Sequence, residues 1–160
     1  MVDYTRCLLA VCPNRPWTTN GDAYSGITML DGNPPPTQAE LDAAWLGCYK
    51  IIKQGQIDIK SQQLVAQGFN YNNHIFSLSS SAQINWMVLL INRAAWQYPK
   101  KISKKDNTEY SVADVLEVGS FFATGVTRVN TILDLGRQLK LDITNAATIE
   151  EVDAIIDNRT

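Results

Sequence analysis

A chain of 160 residues, 45% hydrophobic and 19% charged, has the size and balance of a globular domain, or of a small module joined to a larger one, and not of a disordered or fibrous protein. Its net charge of -2 and pI near 5.3 give no general pull on phosphate backbones or anionic lipid, so neither nucleic acid nor a membrane is an expected partner. The longest apolar run, residues 86–91, falls far short of the roughly 18 residues that a spanning helix needs.

Cys7, Cys12 and Cys48 make an odd count, and the start of the chain lacks the basic and apolar segments of a secretory signal. They are read as free, reduced thiols in a protein made in the cytoplasm. Residues 3–12 alternate as a strand, Asn20-Gly21 is a hairpin turn signal, and residues 24–30 read as a second strand. Residues 1–33 are therefore expected to form a small β docking unit. Pro34, Pro35 and Pro36 then withhold amide donors and hold the backbone extended, which predicts a stiff linker to a separate helical domain over 37–160.

Thr37-Gln38-Ala39-Glu40 supplies a capping box and opens a helix expected over 37–66. Its stripe of Leu41, Trp45, Cys48, Ile52 and Ile59 is interrupted at Gly55 and Gln62, so it suits docking on its own domain or a short oligomerising coiled coil. Over 68–78 a two-residue Asn72-Asn73 turn pairs Tyr71 with His74 and Phe69 with Phe76, which puts these rings and Leu78 on one face. Ser80 and Gln83 form a second capping box for a helix over 81–97 that ends before Pro99. Apolar residues from Ile84 to Trp96 cover nearly every side of it, which predicts a buried central helix.

Lys100, Lys101, Lys104 and Lys105 precede an Asp106-Asn107 turn and a strand over 108–112, a hairpin that sets Lys104 opposite Glu109 and lines a solvated edge with charge. Ser111 and Asp114 can cap a helix over 112–140, along which Val112, Val115, Gly119, Phe122, Val126, Val129 and Leu133 step by three and four. A second row of Leu116, Phe121, Ile132, Leu135 and Leu139 widens the stripe. Thr148 and Glu151 cap a short last helix. The fold class expected is α+β and helix-dominated: three main helices, two hairpins and a short C-terminal helix behind the β unit.

Chemistry is thinly represented. The only histidine, His74, sits at a hairpin turn, with no nucleophile and base pattern around it. No P-loop, dinucleotide glycine fingerprint or zinc spacing occurs, and Glu150, Glu151, Asp153 and Asp157 fit a helix N-terminus better than a glycosidase pair. No catalytic, cofactor-binding or metal-binding residue is assigned.

Several segments follow one another in a recognisable order: Ile57-Asp58 in a polar helix, Gly68-Phe69-Asn70-Tyr71, Ile75-Phe76-Ser77-Leu78, Ser81-Ala82-Gln83-Ile84-Asn85, Asp106-Asn107, and a closing stretch from Leu139-Lys140-Leu141-Asp142 to Thr148-Ile149-Glu150-Glu151-Val152. Over residues 50–156 this order resembles a domain-of-unknown-function family of tail-fibre-associated and tail-fibre-assembly proteins of tailed bacteriophages. The first part, with Trp17, Tyr24-Ser25-Gly26-Ile27-Thr28 and Thr37-Gln38-Ala39-Glu40-Leu41, is more loosely similar to small phage tail proteins. Lys104-Lys105-Asp106-Asn107 departs from the family, which often has an aromatic before this turn.

The resemblance implies a phage tail context and a protein-binding role. With the proline-linked β unit as a second docking module, the reading preferred is a non-enzymatic structural component of the phage virion, at the tail fibre or baseplate, made in the host cytoplasm and acting through contacts with tail proteins or with its own copies. A tail-fibre assembly chaperone is the alternative. From another class, a small lysis or cell-wall-degrading enzyme is the third reading. Candidate partner-binding residues are Trp17 and Tyr24 on the β unit and Phe69, Tyr71 and Phe76 on the hairpin, because rings on small β elements need cover and aromatics dominate interface energies.

Overall fold

The computed structural model describes residues 1–160 and bears out the α+β, helix-dominated class: five α-helices and three two-stranded antiparallel ladders. The chain divides into two compact units, one of Met1–Gln56 with Lys140–Ile156 and one of Ile57–Leu139 with Asp157–Thr160. The division falls inside two long helices rather than at the prolines expected to separate residues 1–33 from 37–160.

In the first unit, residues 3–12 do not form the expected strand. They form helix α1, Tyr4–Val11, because the Asp3 carboxylate accepts from the Arg6 amide at 3.1 Å and Cys7 and Leu8 both turn inward. Strands β1, Trp17–Thr19, and β2, Ile27–Met29, pair with Trp17 opposite Met29. Asn20-Gly21 does not close a two-residue turn; the loop runs to Gly26 and holds a 3-10 turn over Tyr24–Gly26. Arg15 clamps Asp31 through two bonds of 2.8 and 3.2 Å, which hold the Asp31 carboxyl well below the usual carboxylate range, and Arg15 also donates to the Pro34 carbonyl.

The proline segment leads into the helix that completes the core of this first unit. Helix α2, Gln38–Gln67, opens with the expected box: Thr37 N and Oγ1 donate to Glu40 at 2.7 and 2.8 Å. Its Leu41, Trp45 and Cys48 are buried against Cys7, Leu8 and Met29, so this half of the stripe docks on its own unit. Lys50 and Gln54 of α2 donate to the Thr144 and Lys140 carbonyls near the end of helix α4, Val115–Asn145. Helix α5, Ile149–Ala154, is capped by Thr148 as expected and buries Val152.

In the second unit the first hairpin has the predicted register. Strands β3, Phe69–Tyr71, and β4, His74–Phe76, place Phe69 opposite Phe76 and Tyr71 opposite His74, with Asn72 and Asn73 at φ 48 and 63 as a primed turn requires. Helix α3 is shorter than expected, Ser80–Ile91, and its cap is Ser79, whose hydroxyl accepts from the Ala82 amide. Gln83 turns instead to the Leu78 carbonyl at 2.8 Å, so no reciprocal box forms with Ser80.

Strands β5, Lys100–Ser103, and β6, Glu109–Val112, pair one residue away from the expected register. Ser103 faces Glu109, and Lys104 N donates to the Thr108 carbonyl. The reason is a three-residue loop ending in Asn107 at φ 64 instead of a two-residue turn. Glu109 reaches diagonally to Lys101 at 2.6 Å.

Asp114 caps α4 by accepting from the amides of Leu116 and Glu117 at 2.8 and 2.9 Å. The seam that α4 buries runs through Val118, Phe121, Gly125, Ile132 and Gly136; Phe121 and Ile132 come from the second expected row, Phe122 and Val129 of the first row are half-buried, and Val126 and Leu133 face outward. Two glycines stand in this seam because something fills their place: a Cβ on Gly125 would lie 2.9 Å from the Trp86 ring, and one on Gly136 would lie 2.5 Å from Arg159.

Candidate functional site

Of the five aromatics expected to meet a partner, two are covered by this chain's own helices and three are half-buried. Phe69 and Phe76 are 3% and 1% exposed, so neither offers a free face. Trp86 of α3 stands edge-on to Phe69 with ring centroids 5.1 Å apart, and Phe121 of α4 meets Phe76 at 4.8 Å. Tyr71 is half-buried, edge-on to Phe121 at 5.4 Å, and burial raises its phenol pKa. Trp17 and Tyr24 are half-buried on the first unit's core, and Tyr24 donates to the Pro36 carbonyl at 2.8 Å.

His74 also has a local role, with its ring edge-on to Tyr110 at 5.3 Å. Tyr110 hydrogen-bonds to Glu117 and accepts from Asn72 at 2.8 Å; burial first, and then the Glu117 bond, raises its pKa. This network pins the β3–β4 turn.

The free apolar surface lies elsewhere, on α3. That helix is not buried on all sides: only Trp86 and Leu89 face inward, and Leu90, read as core, is half-buried. Ile84, Met87, Val88 and Ile91 are 61, 53, 50 and 71% exposed. Their spacing of i, i+3, i+4 and i+7 makes one continuous helical stripe, and none of the 12 residues of α3 is charged. All-round apolarity hides which side faces out; a hairpin and one helix can cover only one side of a helix this short.

Beside the stripe, α3 and the β5–β6 hairpin enclose a cleft of about 480 Å³. Trp86, Leu89 and Ile102 form its apolar lining, and Trp96 stands at its wall with its indole N–H buried and without an acceptor. Lys100, Lys104 and Lys105 line the same cleft. Lys100 Nζ sits 3.6 Å from the Trp96 ring centre, close enough for a cation–π contact. Lys105 Nζ donates to the Ala66 and Gln67 carbonyls at 2.6 and 3.1 Å, where it caps the C-terminal end of α2 and complements its dipole. The lysines expected to be simply solvated are therefore partly structural.

Three of the four carboxylates considered from sequence, Glu151, Asp153 and Asp157, are engaged by neighbours. Asp153 accepts from Lys53 and Tyr49, and the Lys53 bond first, then the Tyr49 bond, lowers its pKa; Glu151 accepts from the Ala147 amide at the start of α5. Asp157 pairs with Arg159. The three cysteines are free and buried, as read; burial, with Cys48 close by, pushes the Cys7 thiol up to about 12. No three His, Cys, Asp or Glu side chains converge as a metal site. Comparison with known proteins gives no match of any kind: no family model fits the chain, and no curated protein and no solved structure is significantly similar to it.

Proposed function

We propose that this chain is a non-enzymatic structural component of a bacteriophage tail, in the fibre or baseplate region, that acts through lasting contacts with other tail proteins. The observation that carries the contact role is the α3 stripe: four large aliphatic side chains, half or more exposed, on a helix without a single charge. An uncharged, contiguous apolar face is costly in water and is what the centre of a protein interface looks like. The tail setting rests on the order of sequence segments over residues 50–156 alone, read as a resemblance to tail-fibre-associated proteins. The contact surface moves accordingly from Phe69 and Phe76, which fill the core, to α3.

Mass spectrometry of purified particles tests the setting. A virion component is present at a fixed ratio to the fibre or baseplate proteins. Recovery only from infected lysates, bound to unfolded fibre, assigns the chaperone role instead. Turnover of a cell-wall glycan that is lost on changing one carboxylate overturns both.

A further inference from the structure

The α3 stripe and the cleft beside it are continuous, because Val88 belongs to both. Apolar surface thus runs from the outside of α3 into a cavity of about 480 Å³, within the range of pockets that accept whole side chains or small ligands. The charged residues lining that cavity are all of one sign: Lys100, Lys104 and Lys105, with no aspartate or glutamate among them. In a chain whose net charge is -2, this is a local concentration of positive charge beside an uncharged helix. We infer that stripe and cleft form one docking surface for a segment of a partner protein that carries a large apolar side chain flanked by aspartate or glutamate.

The apolar side chain fills the cleft against Leu89 and Ile102, and the flanking carboxylates meet the lysine rim. The same features disfavour other occupants. A second copy joined by a two-fold axis would set stripe on stripe, an uncharged contact that brings no carboxylate from α3 to either lysine rim. Single-stranded nucleic acid needs open ring faces to stack on, whereas Trp86 is 8% exposed and Lys100 sits over the half-buried Trp96 ring. A membrane-surface helix needs basic residues on its own polar face, and α3 has none. The inference rests on the contact role proposed above, not on the tail setting.

Selection of a random-peptide library on the immobilised full-length chain tests it. Enriched peptides should share a bulky apolar residue with acidic neighbours. Their affinity, read by fluorescence anisotropy, should fall about tenfold or more in Lys104→Glu and in Val88→Asp, and should weaken with added salt. Circular dichroism checks that both variants fold; if Val88→Asp does not, Lys104→Glu alone decides. Peptides without acidic residues, no shared pattern, or affinities unchanged in the folded variants overturn the inference. So does wild-type self-association abolished by Val88→Asp, or tighter binding of a single-stranded oligonucleotide than of any peptide. Particle mass spectrometry can fail while this selection succeeds, which separates the tail setting from the surface chemistry.

Discussion

Arg159 donates from Nη1 to the carbonyl of Ile132 at 2.8 Å, so the second-last residue of the chain is fixed to the middle of α4. The same guanidinium bonds Ser61 Oγ at 2.8 Å and the Ile57 carbonyl at 3.0 Å, both on α2. Asp157 balances the charge through bonds of 2.8 and 2.6 Å. Arg159 is the one buried charged residue, 8% exposed. A planar five-donor head suits such a junction, where a lysine would reach fewer partners.

Arg159→Met should therefore destabilise the second unit by about 3 kcal/mol, because it leaves Asp157 without its partner. Urea denaturation followed by the combined fluorescence of the four tryptophans, two of them in this unit, should show the lower midpoint. Asp157→Asn in the Arg159→Met background should recover part of the loss, since the unpaired charge goes with it. A single-variant midpoint equal to wild type would show that the junction adds nothing.

The Asp157 carboxyl is held below its ordinary value, first by the Arg159 bond. A carboxyl with a lower pKa in the folded than in the unfolded state adds stability that is complete above the unfolded value, about 4, and vanishes as pH falls towards the folded one. Stability should thus be flat from neutral pH to about pH 5 and decline below it. In Asp157→Asn the decline should be shallower. Midpoints measured across this range check both the sign and the residue.

Two glycines of α4 should respond in opposite ways to alanine. At Gly119 a Cβ meets nothing within 4 Å, so Gly119→Ala should stabilise by about 0.5–1 kcal/mol through reduced freedom of the unfolded chain. At Gly125 a Cβ would lie 2.9 Å from Trp86 and 3.2 Å from Phe69. Gly125→Ala should cost about 1–2 kcal/mol despite better helix propensity, because the ring cluster is already full. Thermal melts of the pair give the sign directly.

The sidedness of α3 predicts a contrast between residues two apart. Leu89→Asp puts a charge where only 6% of the side chain's surface is exposed and should abolish soluble folding. Met87→Asp, on the 53% exposed side, should leave the stability within about 0.5 kcal/mol of wild type. The same variant should lower incorporation into particles if α3 is the contact face. Equal losses of stability at both positions would show the helix to be buried all round.

Local chemistry in the sequence determined the start of α2 at Thr37 and of α5 at Thr148, and the register of Phe69 with Phe76, because a capping box and a two-asparagine turn act within a few residues. The class, helices with small hairpins, followed from these signals. What depends on distant partners did not. Residues 3–12 carry an ambiguous pattern, and it is the cap at Asp3 and the packing of Cys7 and Leu8 against α2 that make them a helix. Gly125 and Gly136 look like gaps in a stripe until Trp86 and Arg159 are seen to occupy them, which rotates the buried face of α4. For α3, apolar on every side, periodicity holds no information about direction. Only the placement of β3–β4 and α4 decides that Trp86 faces the core while Ile84, Met87, Val88 and Ile91 stay in water, and so where a partner can bind.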